Sequence, residues 1–296
     1  MKANSRIMLK PLAVFTLCGI IFFSCKKSNN STAGSGSNPD SDSAVSLSTN
    51  AAAADNLYND VYDVLAQTTT SSATLSARTT ADGRADGVDS FAACTIVTIN
   101  PSDVSTYPKT VTLNFGTGCT SWYGVTRSGT ITFVFSDHFK NPNATVTATF
   151  TNYKVAGYKL EGNYSVTNQS SLTNGVMFTS SVTGGKVTYP DGTTWYSYSG
   201  NKTIKQTAGL GSSNYNDYVF SITGSHSYAS YTGKTLTDSV TTALVKQVAC
   251  KNIVSGVVAF TYNGLIKGTL DYGNGTCDSI ATINIGALSK TIGLPR

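Results

Sequence analysis

Over residues 127–168 the chain alternates between apolar and polar side chains, and this period of two restricts its fold more than any other feature. Ile131, Phe133 and Phe135 alternate with Thr130 and Thr132; Val146, Ala148 and Phe150 alternate with threonines; Tyr158, Leu160, Tyr164 and Val166 alternate with Lys159, Glu161, Asn163 and Ser165. Successive side chains of a strand point to opposite faces, so each run makes a strand with one wet face and one dry face. The links are short, a loop holding Asn141-Pro142-Asn143 and a turn at Ala156-Gly157. Neighbouring runs therefore pair antiparallel as a meander, with their dry sides together. One such sheet leaves its apolar side bare, and the rest of the chain must cover or extend it.

The pattern recurs over residues 89–296. Further strands are expected at 94–99, 110–115, 176–182, 185–189, 193–199, 202–206, 218–223, 225–231, 236–248, 254–262, 265–272, 279–285 and 290–294. Pro190-Asp191-Gly192, Ser199-Gly200-Asn201, Thr232-Gly233 and Asn263-Gly264 fall between them as turns, and Asn-Gly between two strands is the strongest short hairpin signal. The expected fold is all-β: one large antiparallel meander, as a curved sheet, a sandwich or an open barrel, with one short N-terminal helix. That helix is placed at 49–67, with Thr49 or Asn50 as cap, Ala51 to Ala54 as strong helix formers, and Leu57, Val61, Val64 and Leu65 on one face to pack on the sheet. A polar segment with Asp82-Gly83 and Asp86-Gly87 makes 68–88 a linker that ties the helix loosely to the β domain.

Lys2, Arg6 and Lys10 precede an apolar run from Leu12 to Phe23, too short to span a bilayer, which makes 1–24 a signal peptide. Ser24-Cys25 at its end resembles a bacterial lipobox, although Phe22 and Phe23 depart from the usual pattern. The resemblance implies an acylated Cys25, and more than one buried acyl chain holds a protein on a membrane durably. Lys26 after the cysteine implies transfer to an outer membrane, on the periplasmic or the cell-surface side. Residues 25–48 then read as lipidated cysteine and disordered tether, since 28–43 is almost wholly Ser, Asn, Gly, Thr and Asp. Of the formal charge of +5, three positives lie in the signal segment. No basic run follows Lys26-Lys27, so a nucleic-acid partner has no electrostatic footprint.

With Cys18 in the signal segment and Cys25 assigned to lipid, four cysteines remain for an oxidising compartment. Leu113-Asn-Phe-Gly116-Thr-Gly-Cys119 echoes Leu270-Asp-Tyr-Gly273-Asn-Gly-Thr-Cys277, and each segment has a cysteine upstream. Of three connectivities, the echo favours Cys94 with Cys119 and Cys250 with Cys277. Each loop would stabilise the fold by about 3 to 4 kcal/mol on the chain-entropy account. No Cys-x-x-Cys occurs and only His138 and His226 are present, which removes the usual zinc sets and leaves no cofactor implied. Asp271, Asn274 and Asp278 in a glycine-containing turn are a calcium candidate, although an ordinary turn uses the same residues.

No nucleophile elbow, His-Glu-x-x-His or phosphate loop is present, so no catalytic residue is nominated. Glu161, the only glutamate, has no evident carboxylate partner for glycosidase chemistry, and both histidines read as solvated loop or strand residues. The richest aromatic patch comprises Tyr189, Trp195, Tyr196, Tyr198, Tyr215, Tyr218, Tyr228 and Tyr231. Trp195, Tyr196, Tyr198 and Tyr218 are the candidates for facing an apolar or glycan ligand; Trp195 lies on the opposite face from Tyr196 and Tyr198, so only one set can be core. Asp42-Ser43-Ala44 resembles the O-glycosylation acceptor of Bacteroidota, with Ser43 in the tether.

The 127–168 meander, the Val187 to Thr194 turn and the Leu270 to Asp278 ending resemble uncharacterised outer-membrane lipoproteins widespread in Bacteroidota, a resemblance that carries no function with it. The expected role is a non-enzymatic, membrane-anchored structural or binding β domain. A carrier with a groove for an apolar or glycan ligand is the alternative, and a hydrolase ranks last.

Overall fold

The computed structural model describes residues 39–70, 94–103, 105–121 and 124–295. The signal segment, Cys25, residues 28–38 of the tether and most of the 68–88 linker lie outside them. Among the described residues one α-helix, α1 (Pro39–Thr70), precedes fourteen strands: β1 (Ile96–Asn100), β2 (Lys109–Asn114), β3 (Cys119–Thr120), β4 (Thr126–Phe135), β5 (Thr145–Val155), β6 (Tyr158–Asn168), β7 (Met177–Thr188), β8 (Trp195–Ala208), β9 (Val219–Ser230), β10 (Thr235–Gln247), β11 (Ser255–Tyr262), β12 (Ile266–Asn274), β13 (Ile280–Ile285) and β14 (Leu288–Gly293). They make a single open sheet in chain order, β3 pairing only the start of β4, and every pairing is antiparallel. The expected all-β meander is thus what forms, as one curled sheet.

Its inner face carries the dry residues that the alternation marks. Ile131, Phe133, Phe135, Leu160 and Val166 are wholly buried. The outer face carries hydroxyls in register: Thr145, Thr167, Thr179, Thr203 and Thr223 stand opposite one another across five strands. A β-branched side chain with a hydroxyl suits a pleated surface that is wet on one side.

The helix departs most from expectation. It begins at Pro39, so residues 39–48 are helical rather than tether, and it is 32 residues long rather than short. Proline is favoured in a helix's first turn, and Asp40 and Asp42 sit at its positive end. Nor does α1 keep a wet face beyond Ser46, or hang loosely. Leu57, Val61, Val64 and Leu65 are fully buried as expected, but so are Ala44, Asn56 and Asp60 on other sides. The sheet curls around the helix and encloses it.

Three expected strand pairs are single strands, β7, β8 and β9. The expected turn at Ser199-Gly200-Asn201 lies inside β8, where Gly200 pairs with His226 of β9. A Cβ on Gly200 would stand 2.3 Å from the imidazole, so the glycine makes room for a ring and does not reverse the chain. The break expected within β7 is an irregularity in register between Val182 and Gly185, which the strand passes through. The Asn263-Gly264 hairpin is as expected, both residues having positive φ, 48° and 72°, as its tight turn requires.

Both favoured disulfides are present, Cys94–Cys119 and Cys250–Cys277, with Cα atoms 5.6 and 5.3 Å apart. The echo is also structural. Asn114 accepts from the Gly116 amide at 2.9 Å, and Asp271 from the Gly273 amide at 2.8 Å. Phe115 and Tyr272 are both buried beside those turns.

Candidate functional site

The densest chemistry lies where α1 meets the inner face of the sheet. Asp55 Oδ1 is 2.7 Å from Lys202 Nζ of β8 and accepts from Tyr198 Oη at 3.1 Å. The same oxygen is 3.5 Å from His226 Nε2 of β9, whose Nδ1 donates to Asp238 of β10 at 2.7 Å. Lys202 also donates to Asn59. Burial works against the Asp55 charge, but the charges of Lys202 and His226, with hydrogen bonds from Lys202 and Tyr198, hold its carboxyl below the ordinary value.

Further along α1, Arg127 of β4 donates to both Asp60 oxygens, from Nε at 2.8 Å and from Nη2 at 2.5 Å. Burial disfavours the guanidinium charge, yet the Asp60 carboxylate more than offsets this and raises its pKa. Lys246 Nζ of β10 is 3.6 Å from Asp63 and donates to the carbonyls of Cys250 and Lys251. Asn56 donates to Asn252 at 2.7 Å and to the carbonyl of Pro295. Three turns into α1, Asn50 joins Tyr189 and Tyr196. Ring packing continues the fit, Tyr58 stacking on Tyr198 at 4.6 Å between centroids.

An imidazole between two carboxylates is also the kind of group that moves protons. Ser48 lines the same cavity, with Asp55, His226 and Asp238. That cavity measures about 20 Å³, room for about one water, and Ser48 and His226 are both buried. Ser48 Oγ and His226 Nε2 each lack a hydrogen-bond partner there. The arrangement is a clasp between helix and sheet.

No family model, curated protein or solved structure matches this chain.

The structure sorts the residues nominated from sequence. Tyr196 and Tyr198, candidates for facing a ligand or for plain packing, face inward and meet α1. Trp195 faces the other way, with Lys186 Nζ 4.8 Å above its ring, and Tyr218 is half-buried, donating to the Ser212 carbonyl at 3.1 Å. In the calcium candidate, Asp271, Asn274 and Asp278 accept from Gly273, Thr276 and Ile280, each within its own turn. Among the described residues, no group of three or more His, Cys, Asp or Glu could hold a metal ion. Ser43 is exposed, but it lies in α1 and donates to the Pro39 carbonyl at 2.9 Å. Of the histidines read as solvated, His138 is exposed and bonded to Tyr107 at 2.9 Å, whereas His226 is buried, because Gly200 opens space for it and Asp238 bonds its ring at 2.7 Å. Cys25 lies outside the described residues.

The helix carboxylates and their inner-face cations were not singled out from sequence, yet a signal existed. Arg127, Lys202, His226 and Lys246 all fall in phase with the dry residues of their strands.

Proposed function

We propose that this chain is a lipid-anchored protein of the outer membrane, whose β domain is a non-enzymatic structural or binding module. The observation that carries the reading is the occupied interior: the concave face, where a carrier would hold its ligand, is filled by α1, with Asp55 and Asp60 met by cations of the sheet. The buried imidazole has no room for a substrate. Ser24-Cys25 after an apolar run supports the anchor, and two disulfides fit an oxidising compartment.

Mass spectrometry of the protein taken from its host membrane tests this. The expected result is acyl mass on Cys25 and no small molecule released on unfolding. A stoichiometric apolar ligand would favour the carrier, and an unmodified Cys25 in aqueous extracts would remove the anchor. One observation favours a glycan-binding variant, an open depression of about 740 Å³ on the outer face lined by Thr237, Ser239, Thr261, Lys267, Thr269 and Asn284. Titration with neutral oligosaccharides, read by amide shifts at those residues, decides it.

A further inference from the structure

Consecutive strands run in opposite directions, so the turns after β5, β7, β9, β11 and β13 share one end of the sheet. The helix starts from that end. Asn50 is bonded to Tyr189 and Tyr196, in and beside the β7–β8 turn. Tyr62, three turns on, packs against Phe178 and Phe220 near the starts of β7 and β9, at the opposite end.

The end where α1 starts gathers aromatic side chains. Tyr158 meets Tyr189 at 4.8 Å and Tyr189 meets Tyr196 at 5.5 Å, all at its rim. Trp195 is next to them, its carbonyl accepting from the Tyr231 amide at 3.1 Å. Two apolar side chains stand on neighbouring turn tips, Tyr231 at 53 % exposed and Leu265 at 83 %. Thr235 and Asn263 tie those turns together, the Thr235 amide donating to Asn263 Oδ1 at 2.9 Å. Exposed Lys234 and Lys267 come just after the two tips. Of the acids nearby, Glu161 is paired with Lys159 at 2.9 Å, Asp191 accepts from two amides of its own turn, and Asp40 and Asp42 sit in the first turn of α1. Amphipathic rings, raised apolar tips and lysine stems suit a boundary between water and hydrocarbon.

Leu172 and Leu210 are exposed on loop tips at the opposite end, so exposure alone does not choose between the ends. The chain path does. Cys25 precedes Pro39, at the end where α1 starts, by only fourteen residues. We infer that the end carrying Trp195, Tyr231 and Leu265 is a membrane-facing surface, its partner the lipid bilayer to which Cys25 is anchored. The inference rests on the anchoring proposed above and adds an orientation to it.

The test uses the full acylated chain on phosphatidylcholine vesicles with brominated acyl chains, which quench nearby tryptophan. All variants carry Trp122→Phe, so that Trp195 is the one tryptophan left, and its quenched emission should vanish in Trp195→Phe. A tryptophan placed at the far end, Leu172→Trp with Trp122→Phe and Trp195→Phe, should give emission that bromine leaves intact. Tyr231→Ser with Leu265→Ser should stay on the vesicles but lose the Trp195 quenching. Co-sedimentation with Trp195 unquenched, or with position 172 quenched instead, overturns the orientation while leaving the anchor standing. Failure of the acylated chain to co-sediment overturns both.

Discussion

Replacing Arg127 with methionine tests whether the clasp between helix and sheet is as dry as its geometry indicates. The substitution keeps an unbranched apolar stem but removes the two hydrogen bonds and the charge that face Asp60. The side chains of the pair are 6 % and 1 % exposed, so water cannot replace the guanidinium. Breaking one partner of such a buried pair costs about 3 to 5 kcal/mol. In a chain of this size that corresponds to roughly 6 to 20 °C in Tm. Urea unfolding followed by near-ultraviolet circular dichroism reads the change, with an unaltered slope showing that the unfolded state is comparable. Arg127→Met with Asp60→Leu, which removes both charges, should recover most of the loss, since an apolar pair in such a site is often neutral or stabilising by about 1 to 4 kcal/mol. Lys159 and Glu161 supply an internal control, 36 % and 38 % exposed, where Lys159→Ala should cost less than about 1 kcal/mol. If Arg127→Met cost no more than that control, or the double variant were no better than the single, the site would be wet and the reasoning wrong.

Asp55→Asn should destabilise the fold in a pH-dependent way. The folded carboxyl is held below its ordinary 3.8, so its contribution is present above that value and is lost as pH falls through the depressed one; the gap between native and variant midpoints should close under acid unfolding. Gly200→Ala places a methyl 2.3 Å from the His226 ring and 2.7 Å from the Ser225 carbonyl and should cost about 1 to 3 kcal/mol by calorimetry, with His226→Ala in the same chain removing only the part owed to the ring. Replacing Cys94 and Cys119 together by serine should cost about 3.5 kcal/mol in urea for a separation of 25 residues, and the Cys250–Cys277 pair, separated by 27, should behave alike.

The strand pattern is legible because alternation acts locally. Ile131, Phe133 and Phe135 declare a dry face whatever covers it, and a threonine in the other phase declares a wet one. Turn residues are harder to read. Gly192 ends its hairpin as its neighbours Pro190 and Asp191 suggest, but Gly200 answers to His226, a residue 26 positions away that only the register of β8 on β9 brings opposite. The helix looks shorter in the sequence than it is for a similar reason. Ser41, Asp42 and Ser43 have the composition of a tether, and nothing local says that Ala44, Val45 and Leu47 behind them will be enclosed by the sheet.

The polar side of α1 carries the remaining step. Asp55, Asp60 and Asp63 suggest a solvated helix face, but a helix turns about 100° per residue, so the three carboxylates fan over roughly 140° rather than forming one stripe. They meet different strands: Asp55 the Lys202 of β8, Asp60 the Arg127 of β4, and Asp63 the Lys246 of β10. The alanine stretch from Ala51 to Ala54 alone would tolerate a helix that slid or rotated in the curl, since its sides are nearly featureless. Three charge pairs pointing in three directions do not. A shift by one turn, about 5.4 Å, would carry every carboxylate past its cation at once and leave charges buried without compensation. The cations on the dry phase of β4, β8 and β10 therefore set where the helix stops and which way it faces, and the enclosed interior follows from that register.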